Sequence, residues 1–199
     1  MDEPTKKKSI EDDDFGSSDA YEIYTKTLAQ QHEVYLSDTI ESDSTAYVKL
    51  FKDLKNMSSN DVLNIHLANF GGSCHQGLRL CNILKSLQVR QINMLVEGPC
   101  YSMGAILAVS GTSLRMAPGS FLMFHNFTSY DSGKGAELKM SVEEFATHWR
   151  YSMENLCCPF LTKKELEFLH TDRDIYIREQ NTVELEQRKQ RHFAKKKGK

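Results

Sequence analysis

The sequence predicts an α/β fold in which parallel strands alternate with helices. Two stretches carry that expectation, each an apolar run of strand length that ends in a tight turn and continues into a helix. The first runs from Val62 to Ala68 into Phe70-Gly71-Gly72-Ser73, then into a helix with Leu80, Ile83, Leu84 and Leu87 on one face. The second runs from Ile92 to Val96, breaks at Gly98-Pro99, and continues as a helix from Ser102 through Ala105–Val109. At 199 residues the chain is one domain with enough length for a sizeable core. No internal repeat is evident.

The remaining elements follow in order. Asp19 with Glu22 resembles a helix start, with Tyr21, Tyr24 and Leu28 on one face. Val34–Leu36 is a short strand. Asp43 or Ser44 can cap a helix in which Tyr47, Leu50, Phe51 and Leu54 follow the i, i+3, i+4, i+7 rule. Leu114–Met116 and Phe121–Phe124 are two strands with Pro118-Gly119 turning between them. A polar loop, Ser129 to Gly135, leads into a long helix with Leu138, Val142, Phe145, Trp149, Met153 and Leu156 on one stripe, which Pro159 ends. Thr162-Lys163-Lys164-Glu165 is a capping box for a short helix through Leu169, and Ile175–Ile177 closes the ordered part.

Charge divides the chain into three parts. Residues 1–17 carry few apolar groups and are expected to be mobile, 18–180 form the folded domain, and 181–199 form a basic, solvated tail. From Val183 onward there are seven Lys or Arg against two Glu. A formal net charge of −2 makes the whole chain no obvious nucleic-acid binder. A contact with nucleic acid or a scaffold through the tail is the one route left open to such a partner. No apolar run approaches the roughly 20 residues that a membrane span needs, and the acidic, polar start is unlike a secretory signal. Five cysteines at irregular spacing, without a C-x-x-C metal pattern, read as free thiols in a reducing, cytoplasmic compartment.

Four positions carry chemistry. A serine at the first turn of a helix, after a sharp turn off a strand, is a nucleophile elbow, with the helix's first N–H groups beside it. Read alone, Ser102 is better served as a simple N-cap. Gly71-Gly72 at a strand end lets the backbone approach a ligand, or is a plain tight turn. His125 ends a strand, and acids follow at Asp172 and Asp174. Serine hydrolysis needs a base for the serine proton, a carboxylate to hold that base, and two donors for the oxyanion. Asp172 and Asp174 lie two apart, so in an extended segment they point the same way and spacing does not choose between them. With seven histidines in the chain, chance assemblies are easy, and the residues alone support a possible hydrolase.

Five blocks in one order resemble the ClpP family, the proteolytic subunits of the Clp proteases, which have the ClpP/crotonase fold. They are Ala20-Tyr-Glu-Ile-Tyr24, Gly71-Gly72-Ser73, Tyr101-Ser102-Met103-Gly104, Met123-Phe124-His125 and Thr171-Asp172-Arg173-Asp174. The likeness runs from Ala20 to Ile177, 158 of the 199 residues. The separation of 49 positions between His125 and Asp174 matches the family's helical handle insertion. The resemblance implies Ser102 as nucleophile, His125 as general base and Asp174 as orienting acid. It further implies an oxyanion hole from the N–H groups of Gly72 and Met103, and a ring-to-ring contact at Asp172 and Arg173. The handle spans about Ala136 to Leu156. The implied assembly is two stacked heptameric rings that enclose the sites, fed with polypeptide by an AAA+ unfoldase such as ClpX or ClpA. No metal or organic cofactor is implied.

The chain departs from the family pattern at several points. Phe70 stands in place of a proline, Tyr101 and its neighbours in place of small residues, and Asn126 in place of the proline after the histidine. The family's closing helix and strand are not recognisable after Ile177. A shortened chain of this kind resembles the ClpP-like proteases carried by phages. A non-catalytic ring subunit and a crotonase-like acyl-thioester enzyme are the alternatives on the same fold. The first typically loses triad residues, and the second needs the oxyanion hole without the triad.

Overall fold

In the computed structural model the described residues are 28–43, 45–129, 132–171 and 173–197. The expected mobile segment 1–17 and the helix start at Asp19 lie outside them, as does the Ala20–Tyr24 block. Four strands form one all-parallel sheet: β1 (Gln31–Ile40), β2 (Val62–Gly72), β3 (Gln91–Val96) and β5 (Ser113–Met116), in the order β1-β2-β3-β5. Helices α1 (Thr45–Lys55) and α2 (Cys74–Ser86) make the crossovers. Each strand–helix–strand unit places its next strand alongside the last, as parallel pairing with helical connections requires.

A second sheet has the order β4-β6-β7, where β4 is Cys100–Tyr101, β6 is Phe121–Phe124 and β7 is Ile175–Arg178. β4 runs parallel to β6 and β7 antiparallel to it. Helix α3 (Met103–Ala108) leaves β4 with all six residues buried, which fits its unbroken apolar sequence Met-Gly-Ala-Ile-Leu-Ala. The core lies between the inner face of the large sheet and the helices, with Leu63, Ile65 and Leu67 of β2 and Met94 and Val96 of β3 essentially inaccessible. The family fold read from the sequence, an α/β arrangement of strand–turn–helix units, is the fold seen.

Several local expectations hold. Asp43 accepts from the Thr45 N–H at 2.8 Å at the start of α1; Ser73, which no expectation named as a cap, caps α2 by accepting from the Gln76 N–H. Thr162 and Glu165 form the reciprocal capping box of α5 (Lys163–Leu169). The long helix α4 covers Gly135–Cys157. Its Phe145 and Trp149 pack with Phe127 in a ring cluster, with centroids 4.9 Å apart for Phe127–Phe145. β1 runs well beyond Val34–Leu36. It is an edge strand whose outward residues are polar, so the apolar signal covers only its middle.

The C-terminal expectation needs correction. Residues Thr182–Lys197 are a helix, α6, and its first half docks on the domain instead of trailing in solvent. Leu185 is buried. Glu186 Oε1 accepts from the Leu114 N–H at 2.7 Å and so caps the open edge of β5. Arg188 donates to the Phe160 carbonyl and to Glu165 and Glu184. Lys189 is buried over the Phe160 ring and donates to the carbonyls of Gly111 and Thr112, and burial lowers its pKa. A run of basic residues therefore docks by satisfying backbone carbonyls, with the lysine stem buried beneath the charge. Deleting Val183–Lys199 loses the Leu185 burial and leaves the Leu114 N–H without its partner. The expected cost is roughly 3–6 kcal/mol, read as a lower denaturant midpoint, with an m-value reduced by the loss of the helix's buried surface.

The outer face of the large sheet carries a polar ladder at one register. The Asn64 amide donates to Glu33 at 2.8 Å, the Asn93 amide to Asn64 at 2.8 Å, and the Ser113 hydroxyl to Asn93 at 2.6 Å. One step along, His66 lies between Glu97 (2.7 Å) and Glu33 (2.9 Å), stacked on Tyr35. Hydrogen bonds to Glu97, then to Glu33, raise the His66 pKa. With the folded value above the unfolded one, near 6.5, this contribution to stability is whole below that pH and is lost as pH rises through the folded pKa. Wild type is therefore expected to lose stability between about pH 6.5 and the His66 folded pKa, and His66→Gln to lose less. Urea unfolding across that range checks it.

Candidate active site

The two strand–turn–helix units meet at Ser102. Its backbone lies at φ 54° and ψ −123°, a region that non-glycine residues rarely occupy, and it stands at the N-cap of α3. Its hydroxyl makes no capping hydrogen bond. The contrast with Ser73, which does cap its helix, removes the simple N-cap explanation for Ser102. The turn is held by the backbone: Ser102 N–H donates to the Met123 carbonyl at 2.8 Å, and the Ser102 carbonyl accepts from the Ile106 N–H at 3.1 Å. Cys100, two residues earlier, is fully buried, and burial pushes its thiol up to about 11. The half-buried hydroxyl of Ser102 is thus the more accessible nucleophile of the turn.

Register brings the other two residues to the same end of the small sheet. In the antiparallel β6–β7 pair, Phe124 stands opposite Ile175. Continued one step past the end of the pairing, that register would bring His125 opposite Asp174. In the parallel β4–β6 pair, Tyr101 stands opposite Met123, and Ser102 follows. His125 thus follows the end of the middle strand, with Ser102 beyond the end of β4 on one side and Asp174 before the start of β7 on the other. Among the described residues, no hydrogen bond joins Ser102 to His125 or His125 to Asp174. Asp172 lies outside the described residues. Arg173 places its guanidinium over the Phe168 ring at 5.0 Å.

The glycine loop closes over the elbow. Gly71 has φ +86°, and a Cβ there would lie 2.7 Å from Ser102 Cβ and 3.2 Å from the Met103 nitrogen. Gly72 has φ +123°, and a Cβ there would lie 2.4 Å from the Ile40 carbonyl oxygen. Both positions exclude a side chain, so this is more than a plain tight turn: the backbone packs against the elbow at Gly71 and against β1 at Gly72. A cavity of about 600 Å³ opens beside it, lined by Thr39, Gly72, Ser73, Phe127, Val142 and Phe145 among others. The loop, the segment after His125 and the helix α4 are its walls. Among the described residues, no group of three or more His, Cys, Asp or Glu is placed to hold a metal ion.

Asn69 is the positioning residue that sequence reasoning missed. It is buried, its Oδ1 accepts from the Gly71 N–H at 2.9 Å, and its carbonyl would lie 2.5 Å from a Cβ on Gly104. It therefore ties the glycine loop to the first turn of α3. An asparagine two residues before a glycine at a strand end is the signal that could have shown it. Asn69→Ala leaves the Gly71 N–H unpaired and is expected to cost about 1–3 kcal/mol, measurable by denaturant unfolding.

An α/β scaffold with a serine elbow beneath a glycine loop places the chain in the ClpP/crotonase-like class. The family model described as Clp protease matches residues 16–185. The chain belongs to the Clp protease family and is a ClpP-type peptidase. Proteins of that family generally form oligomeric rings with AAA+ partners. Comparison with curated proteins returns no match. Among the described residues, no helix is long and apolar enough to cross a membrane.

Proposed function

We propose that this chain is a serine endopeptidase that hydrolyses unfolded polypeptide through Ser102, His125 and Asp174. The observation that carries the reading is the elbow: a serine at positive φ whose hydroxyl makes no cap bond, at the end of a sheet in which His125 follows β6 and Asp174 precedes β7. In this reading the Ser102 oxygen attacks the scissile carbonyl carbon while His125 accepts the hydroxyl proton. Asp174 holds the imidazole in the required tautomer and stabilises its cation. The amine leaves with the proton carried by His125, and water then hydrolyses the acyl-enzyme by the same route reversed. Hydrogen bonds of this kind are often long in unliganded sites and tighten around substrate.

The oxyanion donors in this reading are the N–H groups of Gly72 and Met103. Two facts support Gly72. The Gly71 N–H is committed to Asn69, and the Ser73 N–H donates to Ile40 at 2.9 Å. In a parallel ladder successive N–H groups face opposite neighbours, which turns that of Gly72 away from β1. Met103 is the first residue of α3, where an N–H has no partner within the helix. The working form is two stacked heptameric rings paired through α4, fed by an AAA+ unfoldase in a reducing, cytoplasmic compartment. The test combines casein and short-peptide hydrolysis with native mass. Hydrolysis by a ring-sized particle supports the reading. A ring that hydrolyses neither substrate favours a non-catalytic subunit, and turnover of acyl thioesters alone favours the crotonase-like alternative.

A further inference from the structure

Away from Ser102, a second cavity of about 550 Å³ lies where α1, α2 and α4 converge. Its polar lining is cationic or neutral: Lys55 from the last turn of α1, His75, Arg79 and Asn82 from α2, and His148 from α4, with no carboxylate among the lining residues. His75, Arg79 and Asn82 follow an i, i+4, i+7 stripe, so one exposed face of α2 aims three of them at the same space. Arg79 is held by its own neighbour, with its guanidinium 4.5 Å over the Phe51 ring. Among the described residues, Lys55, His75, Arg79 and His148 carry no hydrogen bond or ion pair. Other basic groups of the chain do, as Lys49 with Asp53 and Arg188 with Glu165 and Glu184 show.

Uncompensated cations converging on a concave space repel one another, and an anion in that space relieves the repulsion. We propose that this cavity binds a small, multiply charged phosphate-bearing anion. A planar guanidinium, an ammonium and imidazole N–H groups are the donors that hold phosphate oxygens, and Asn82 adds a neutral amide donor. The Ser86 hydroxyl is committed to the Ile83 carbonyl at 2.8 Å and is not counted among them. The volume admits more than a single phosphate group. This site is independent of the peptidase reading, since none of its groups belongs to the Ser102 machinery.

The test is a titration of the full chain with inorganic pyrophosphate at fixed ionic strength, followed by calorimetry and by NMR of the histidine rings. Saturable binding is expected, with the His75 and His148 ring signals moving along one curve. Arg79→Glu is expected to weaken it at least tenfold, while Lys164→Glu, the same charge change on exposed α5, leaves it within about twofold. The proposal is overturned if no saturable binding occurs at millimolar pyrophosphate, if the moving signals lie elsewhere, or if Lys164→Glu weakens binding as much as Arg79→Glu. The wild-type ring signals decide the site even if a variant folds poorly.

Discussion

Ser102→Ala is expected to lose hydrolysis of casein and of short peptides by on the order of 10⁴-fold or more, with native mass and stability unchanged. The two halves of that expectation come from one observation. A serine that caps a helix costs about 1 kcal/mol when replaced by alanine. The Ser102 hydroxyl makes no cap bond, and the turn around it is held by backbone groups that alanine keeps. The hydroxyl is therefore free for chemistry and dispensable for folding. A variant that keeps full turnover but unfolds more easily would show the opposite, a structural serine in a site whose nucleophile lies elsewhere.

The second large effect separates the two acids near β7. Asp174→Asn is expected to lose about 10⁴ in turnover at unchanged native mass, the size of the effect in the corresponding chymotrypsin variant. Asparagine keeps the shape but presents the wrong partner to the imidazole, so the unproductive tautomer of His125 is favoured. The expectation rests on register: Phe124 stands opposite Ile175, and one step past that pairing would bring His125 opposite Asp174. Asp172 enters through the resemblance alone, as half of an ion pair between rings. An exposed pair contributes about 0–1 kcal/mol, so Asp172→Asn is expected to keep most of its turnover in the intact double ring. Assembly should instead become more sensitive to dilution and salt. Turnover and native mass across subunit concentration distinguish the two. An inactive but intact Asp172→Asn ring beside an active Asp174→Asn would reverse the assignment of the acid.

What the chain shows of its fold follows the apolar pattern. β2, β3 and the inward face of α2 are legible because their buried residues recur at the strand and helix periods, and the capping box at Thr162 is legible because two side chains announce it. β1 is half-legible, since Val34, Leu36 and Ile40 mark its inner face but polar Ser37, Asp38 and Thr39 interrupt the pattern before Ile40. α6 is hidden for a different reason. Its anchors are Leu185, a glutamate on a strand N–H and a lysine on two carbonyls, and charged anchors read as solvent-facing in a sequence.

The site shows the same division. Ser102 and the two glycines are visible as punctuation between a strand and a helix. The proposed grouping of His125 and Asp174 with them rests on a pairing between β6 and β7 across the whole of α4 and α5, which no local pattern encodes and only the family resemblance implies. Asn69 is not legible in the sequence, where a lone asparagine at a strand end looks like part of a loop. Its burial against Gly71 and Gly104 is a tertiary fact.

The most direct measurement is covalent labelling with a serine-reactive phosphonate, followed by mass spectrometry of the digested chain. The triad reading expects one adduct per subunit, on the peptide containing Ser102, and none in Ser102→Ala, with His125→Ala sharply slowing the reaction. An unlabelled, folded and assembled wild type, or an adduct on any other residue, would contradict it.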